Sequence, residues 1–215
     1  PLNIFEFSFK VNDQLYIHEA GTGLFEYRQG NLFFLEWSES IGEKEIWEIV
    51  KYKDDQLLIC TSGSGIYLYD GLNLSRWNTP VNQWVVEDKI YSIKELDNNH
   101  FAIGTILNGL LVIDQEGNVL QHINRNNGLQ NNTVLSLFRD NSKNLWLGLD
   151  NGIDYIEINS PFSYFTGNDG LGTGYCARIF EYKLYLGTNQ GLFVKNLNTE
   201  DPHNTEEFRL VENTT

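Results

Sequence analysis

Apolar and polar residues follow one another along this chain in short blocks. The clearest stretch is NGLQNNTVLSLFRDNSKNLWLGLDNGIDYI, residues 127–156. It holds three apolar runs, 134–138, 145–149 and 153–156, separated by the polar turns 140–144 and 150–152. Short apolar runs bounded by Asn, Asp and Gly read as strands joined by hairpins, because those residues tolerate positive φ or bond their own backbone. The first two runs do not alternate cleanly, which predicts strands buried on both faces and places Trp146 in the core.

The same block recurs. LYIHEAGTGL, LLICTSGSGI, FAIGTILNGL, LWLGLDNGI and LYLGTNQGL each end an apolar run in a turn whose glycine is Gly23, Gly65, Gly109, Gly152 or Gly191, spaced by 42, 44, 43 and 39 residues. A period of roughly 40–45 residues with four strands per unit is the signature of a propeller blade. The fold expected is all-β: about five four-stranded antiparallel blades in one segment spanning 1–215, cut from a larger propeller. The units fall at 4–35, 45–77, 88–123, 132–166 and 175–212. Phe5, Phe7 and Phe9 are expected on one strand face. The fourth unit closes with a strand at 162–165, and the fifth with one at 208–211 after the polar insert 196–207. Residues 78–88, with Pro80 and Trp84, read as a long connection, and almost no helix is expected because no run keeps helical spacing. The five turn glycines should need positive φ. Gly104, Gly148 and Gly187, which close the second-strand triplets, should permit close packing; His18 and Cys60 stand at that position in the first two units.

Charge narrows the function. Asp and Glu (29) outnumber Lys and Arg (15), giving a net charge of −14. Such a surface repels nucleic-acid phosphates and anionic lipid, so no direct nucleic-acid contact is expected. No apolar run reaches the roughly 18 residues of a membrane span, and the opening PLNIFEFSF lacks the basic start of a signal peptide. Any span is expected outside this segment. With no Met at all, the sequence is expected to be a piece of a longer protein. Cys60 and Cys176 lie nearly three repeats apart and are not expected to pair.

At this point the residues resemble a family, the two-component regulator propeller repeat. The motif positions are Gly128-Leu129, Asn132, Asp140, Trp146, Gly148 and Gly152-Ile153, with KLYLGTNQGLFV and FRLVE echoing it in the fifth unit. His18 and Cys60 depart from it. The resemblance implies the periplasmic, extracytoplasmic sensor portion of a Bacteroidetes-type regulator, either a hybrid histidine kinase or a one-component regulator with a helix-turn-helix output. It further implies a larger ring, followed by a triple-tyrosine immunoglobulin-like domain, a membrane span and a cytoplasmic output. Ligands of such sensors are often oligosaccharides. Kinase or DNA-binding activity would fall outside these residues.

Chemistry that would point elsewhere is sparse. His18, His100, His122 and His203 show no metal-ligand spacing, and no cofactor is expected. Ser62-Gly63-Ser64-Gly65 coincides with the repeat's own turn and lacks a following helix. Asp54-Asp55, Glu43 with Glu45, and Asp150 with Asp154 read as solvated turns. A ligand surface would lie on the face built by second-to-third-strand turns and blade approaches, with Trp84, Asn108, Asp150, Asn151, Tyr175, Asn189 and Gln190. Amides and carboxylates there suit sugar hydroxyls, and Trp84 or Tyr175 could stack on a sugar. The expected role is non-catalytic ligand sensing. The alternatives are a propeller lyase or hydrolase, which needs an acid/base cluster in the channel where Trp47, Tyr91 and Leu135 stand, and a protein-interaction scaffold. Apolar faces on the terminal blades are expected to drive self-association or packing against further blades.

Overall fold

The computed structural model describes residues 4–96, 99–158, 160, 170–197 and 208–214. The chain forms two compact units, Pro1–Asn124 with Leu129–Asn159, and Arg125–Gly128 with Ser160–Thr215.

The first unit contains four antiparallel sheets, each a meander of consecutive strands. The first blade is β1 (Phe5–Val11), β2 (Gln14–Glu19), β3 (Gly23–Arg28) and β4 (Asn31–Phe34). The second is β5 (Ile46–Lys51), β6 (Leu57–Thr61), β7 (Gly65–Tyr69) and β8 (Leu74–Arg76). The third is β9 (Ile90–Glu95), β10 (Phe101–Thr105), β11 (Leu110–Ile113) and β12 (Val119–Ile123). The fourth shows β13 (Val134–Arg139), β14 (Leu145–Leu149) and β15 (Ile153–Ile156); the strand expected at 162–165 lies outside the described residues. The second unit is one blade: β16 (Gly174–Phe180), β17 (Lys183–Thr188), β18 (Gly191–Asn196) and the short β19 (Arg209–Leu210). This is a β-propeller architecture, as the repeat predicts.

Blades stack because their middle strands are apolar on both faces. In β6, Leu57 and Ile59 pack with Phe9, Tyr16 and Leu24 of the first blade, while Leu58 and Cys60 pack with Ile93, Phe101 and Ile103 of the third. In the next junction, Ala102 and Leu110 meet Val134, Leu145 and Leu147. Each such side chain contributes roughly 1.5–3 kcal/mol on burial.

Three expectations are corrected. Residues Pro80–Glu87 form a helix, α1, with Pro80 in its first turn and Val81 and Val85 buried in the core. Eight residues are too few to show a helical period against flanking polar turns. A bulge between Phe5 and Phe7 splits the expected aromatic face: Phe5 packs on Phe25, whereas Phe9 is buried against the second blade. Trp146 is 44% exposed, because β14 buries Leu145, Leu147 and Leu149 on its other face.

The turn glycines behave as their spacing predicts. Gly23, Gly65, Gly109, Gly152 and Gly191 all have positive φ. Gly104, Gly148 and Gly187 lie across from Ser92, Ser136 and Cys176 of their first strands, whose side chains fill the space a Cβ would need. Cys60 is buried and Cys176 exposed, both as free thiols.

Candidate functional site

The turn face of each blade is held by one repeated backbone bond. The residue that opens the second-to-third-strand turn donates its N–H to the carbonyl just before the first strand. The pairs are Ala20 to Ile4, Ser62 to Glu45, Ile106 to Lys89, Asp150 to Thr133 and, in the second unit, Asn189 to Thr173. The candidates Asn108, Asp150, Asn151, Asn189 and Gln190 all stand in these turns, so the repeat itself presents them.

In the first unit the structure brings Trp84 and Asn108 together through a residue that the sequence did not single out. His122 lies on β12 and its Nε2 is 2.7 Å from the Asn108 carbonyl, which must accept, so Nε2 carries the proton. Trp84, on α1, meets the His122 ring edge-on at 6.0 Å. The Asn108 amide donates to Asp88 Oδ2 at 3.2 Å, and the Leu107 N–H donates to the Asp88 carbonyl, tying the turn to the C-terminus of α1. Trp84 is only partly exposed and packs on the core; Asp88 and His122 are half-buried. Asp150 and Asn151 are exposed at the next turn. Neither Asp88 nor His122 could be linked to Trp84 without knowing that 80–87 is helical.

In the second unit, Asn189 is occupied by structure: its Oδ1 accepts the Thr173 N–H at 2.7 Å. The Gln190 N–H donates to Thr188 Oγ1 at 3.1 Å, and its side chain lies against Gly172. Tyr175, on β16, is exposed.

The first strands line the inner side of the first unit. Trp47 stacks on Tyr91 at 4.5 Å and meets Phe7 edge-on at 5.6 Å, an aromatic row across three blades. Glu48 follows Trp47 and faces Cys60 across the ladder; burial pushes its carboxyl up, against the opposing pull of a backbone hydrogen bond and Lys94. Burial likewise pushes the Cys60 thiol well up, leaving it an inert core group. His18 is buried and its Nδ1 lies 3.4 Å from Glu6 Oε2. His100 is half-buried in its turn, and His203 lies outside the described residues. Among the described residues no group of three or more His, Cys, Asp or Glu side chains is placed to hold a metal ion, and no helix is long and apolar enough to cross a membrane.

The comparisons fit this architecture. The fold is a β-propeller, and the chain carries a two component regulator propeller repeat, matched by that family's model over residues 128–151. No curated protein sequence matches it. Solved structures share the fold. The extracellular domain of the hybrid two component system BT3049 of B. thetaiotaomicron superposes with a TM-score of 0.57 at 18% identity, over 99% of this chain and 29% of that one. The extracellular domain of the one component system BT4673 of the same organism gives 0.55 at 19% identity, over 99% and 31%. PorZ, a surface component of the type-IX secretion system of Porphyromonas gingivalis, gives 0.52 at 16% identity, over 88% and 32%. The chain thus spans 29% to 32% of the length of these relatives.

Proposed function

We propose that this chain is part of the extracytoplasmic, periplasmic sensor propeller of a bacterial signal-transduction regulator, and that it recognises an oligosaccharide without catalysis. The observation that carries the reading is the two component regulator propeller repeat at 128–151, set in blades of the same construction. The extracellular domains of BT3049 and BT4673, which share the fold, support it. Trp84, Asn108, Asp150 and Asn151 supply an aromatic edge, amides and a carboxylate on the turn face of the first unit, a combination suited to sugar hydroxyls. Tyr175, Asn189 and Gln190 supply an aromatic ring and amides in the second unit.

Calorimetric titration with a panel of neutral and acidic oligosaccharides tests the reading. Binding without turnover, weakened by the pair Asp150→Ala and Asn151→Ala, is expected. Product formation would replace the sensor with a propeller enzyme, and a panel without any binder would leave a protein-interaction scaffold.

A further inference from the structure

At the opposite end of the strands from the turn face, the first strands of four successive blades end in a cleft of about 370 Å³. Its walls carry Lys10 of β1, Lys51 of β5, Lys94 of β9 and Arg139 of β13. Three of these occupy one repeated position. Lys10 pairs with Leu15, Lys51 with Leu57 and Arg139 with Leu145, the ladder site at which each second strand begins its apolar run. The third blade places Glu95 there, opposite Phe101, and carries its basic residue one position earlier at Lys94.

This concentration runs against the rest of the molecule. The chain has 15 basic residues and a net charge of −14, yet four of the 15 meet in this cleft. Among the described residues, no ion pair joins Lys10, Lys51 or Lys94 to a carboxylate. Three carboxylates share the cleft: Glu48, Glu95 and Asp140. Asp140 is engaged by its own hairpin, accepting the Ser142 and Asn144 N–H groups and the Trp146 indole. Glu48 is half-buried. Four cations against these three carboxylates leave the balance of charge in the cleft positive. Strand-borne cations converging on a concave opening act as an anion trap, because the surrounding low-dielectric walls focus their field.

The geometry points to a second ligand site at this inner mouth, one for a small anion bearing two or more carboxylate, sulfate or phosphate groups. Two or more groups are required because the cations come from separate strands, and one anionic centre cannot meet them all. The cleft volume suits a ligand of that size. The negative surface beyond it repels an extended polyanion such as nucleic acid.

The 215-residue chain is titrated calorimetrically with citrate, inorganic pyrophosphate and a sulfated disaccharide, with cellobiose as the neutral control. These arms separate the three anion chemistries from one another and from neutral sugar recognition at the turn face. At least one anion is expected to bind, more weakly as sodium chloride is raised. Lys51→Gln with Lys94→Gln should weaken binding at least about tenfold. Arg76→Gln, which removes the same charge from exposed β8, should leave it unchanged. Thermal midpoints confirm that the variants fold. Absence of binding by all three anions at about 10 mM, a millimolar-range cut-off, would overturn the proposal. So would a salt-independent titration of the native chain, or an unaltered affinity in the double lysine variant.

Discussion

At the scale of single residues, the hairpin aspartates show how side chains close the blade ends. Asp140 Oδ1 accepts from the Ser142 and Asn144 N–H groups at 2.9 and 3.0 Å, and Oδ2 accepts from Trp146 Nε1 at 3.1 Å. Asp70 and Asp114 bond their own hairpins in the same way. These bonds hold the Asp140 carboxyl below its ordinary range, the Asn144 bond contributing most. Trp146 is thus anchored at its edge while its ring stays partly in water. Trp146→Ala should cost about 1–2 kcal/mol for one charge-assisted hydrogen bond and partial ring burial, short of the roughly 3–5 kcal/mol of a fully buried aromatic truncation; urea unfolding measures it. His18 makes a different prediction. Burial holds its imidazole below the ordinary value despite the pull of Glu6. The unfolded chain therefore takes up the proton first as pH falls below about 6.5. Stability is full above that pH and declines below it, towards the lowered folded pKa. His18→Cys, which installs the residue the second blade carries at this position, should flatten the change in urea midpoint between about pH 7.5 and pH 5. An undiminished slope would assign the acid sensitivity to other groups.

At the scale of elements, three blades share a device in which the segment after the fourth strand returns a side chain to the third. Ser38 Oγ accepts the Leu24 N–H at 2.7 Å and donates to the Leu35 carbonyl at 2.6 Å. Thr214 does the same between Leu192 and Val211 in the second unit. In the second blade α1 supplies Asn82, whose Oδ1 accepts the Ile66 N–H at 2.8 Å and whose amide donates to the carbonyls of Ile66 and Trp77. Leu24, Ile66 and Leu192 each follow a turn glycine, so the device satisfies the corresponding backbone N–H each time, buried in the first two blades and part-buried in the second unit. Asn82→Ala should cost about 1–3 kcal/mol, since the buried Ile66 N–H is left without an acceptor, whereas the Ile66 and Trp77 carbonyls still accept from the Trp77 and Thr79 N–H groups. Asn82→Asp should recover only the acceptor part, and thermal unfolding of both variants checks the order. Strands and turns were legible in the sequence because β6 and β10 carry no polar side chain before their last residue, a threonine, and the turn glycines are periodic. The helix was not, since its evident markers, Pro80 and the polar residues around it, also mark loops. The basic cleft was hidden for another reason. Four residues separate Lys10 from Leu15, whereas five separate Lys51 from Leu57 and Arg139 from Leu145. Counting along the chain therefore puts Lys10 one residue out of step, and strand pairing is what aligns it with Lys51 and Arg139.

At the scale of the whole molecule, the candidate turn residues were visible because they recur with the period, whereas the His122 link to Trp84 depends on tertiary placement. The same periodicity makes the outer face of the first blade a prediction. At the two following junctions, the face that a blade turns towards its predecessor is apolar and covered: Leu57 and Ile59 in the second blade, Phe101 and Ile103 in the third. The corresponding face of the first blade is apolar too. Phe5 packs edge-on against Phe25, and Phe25 against Phe34, forming one aromatic patch. Phe5 is 52% and Phe34 38% exposed, with Tyr27 at 46% beside them. Phe9, expected in this patch, instead serves the junction with the second blade. A contiguous aromatic surface in water favours association, at roughly 25 cal/mol for each Å² it removes from solvent. The net charge of −14 opposes it, and salt weakens that opposition. The 215-residue chain should therefore self-associate, more strongly at high salt. Phe5→Ser with Phe34→Ser should return it to monomer without changing its β content. Multi-angle light scattering across protein and salt concentration decides this. A native chain that stays monomeric at about millimolar concentration, where even a weak Kd would show, would mean that the patch is too small or too frayed to drive assembly.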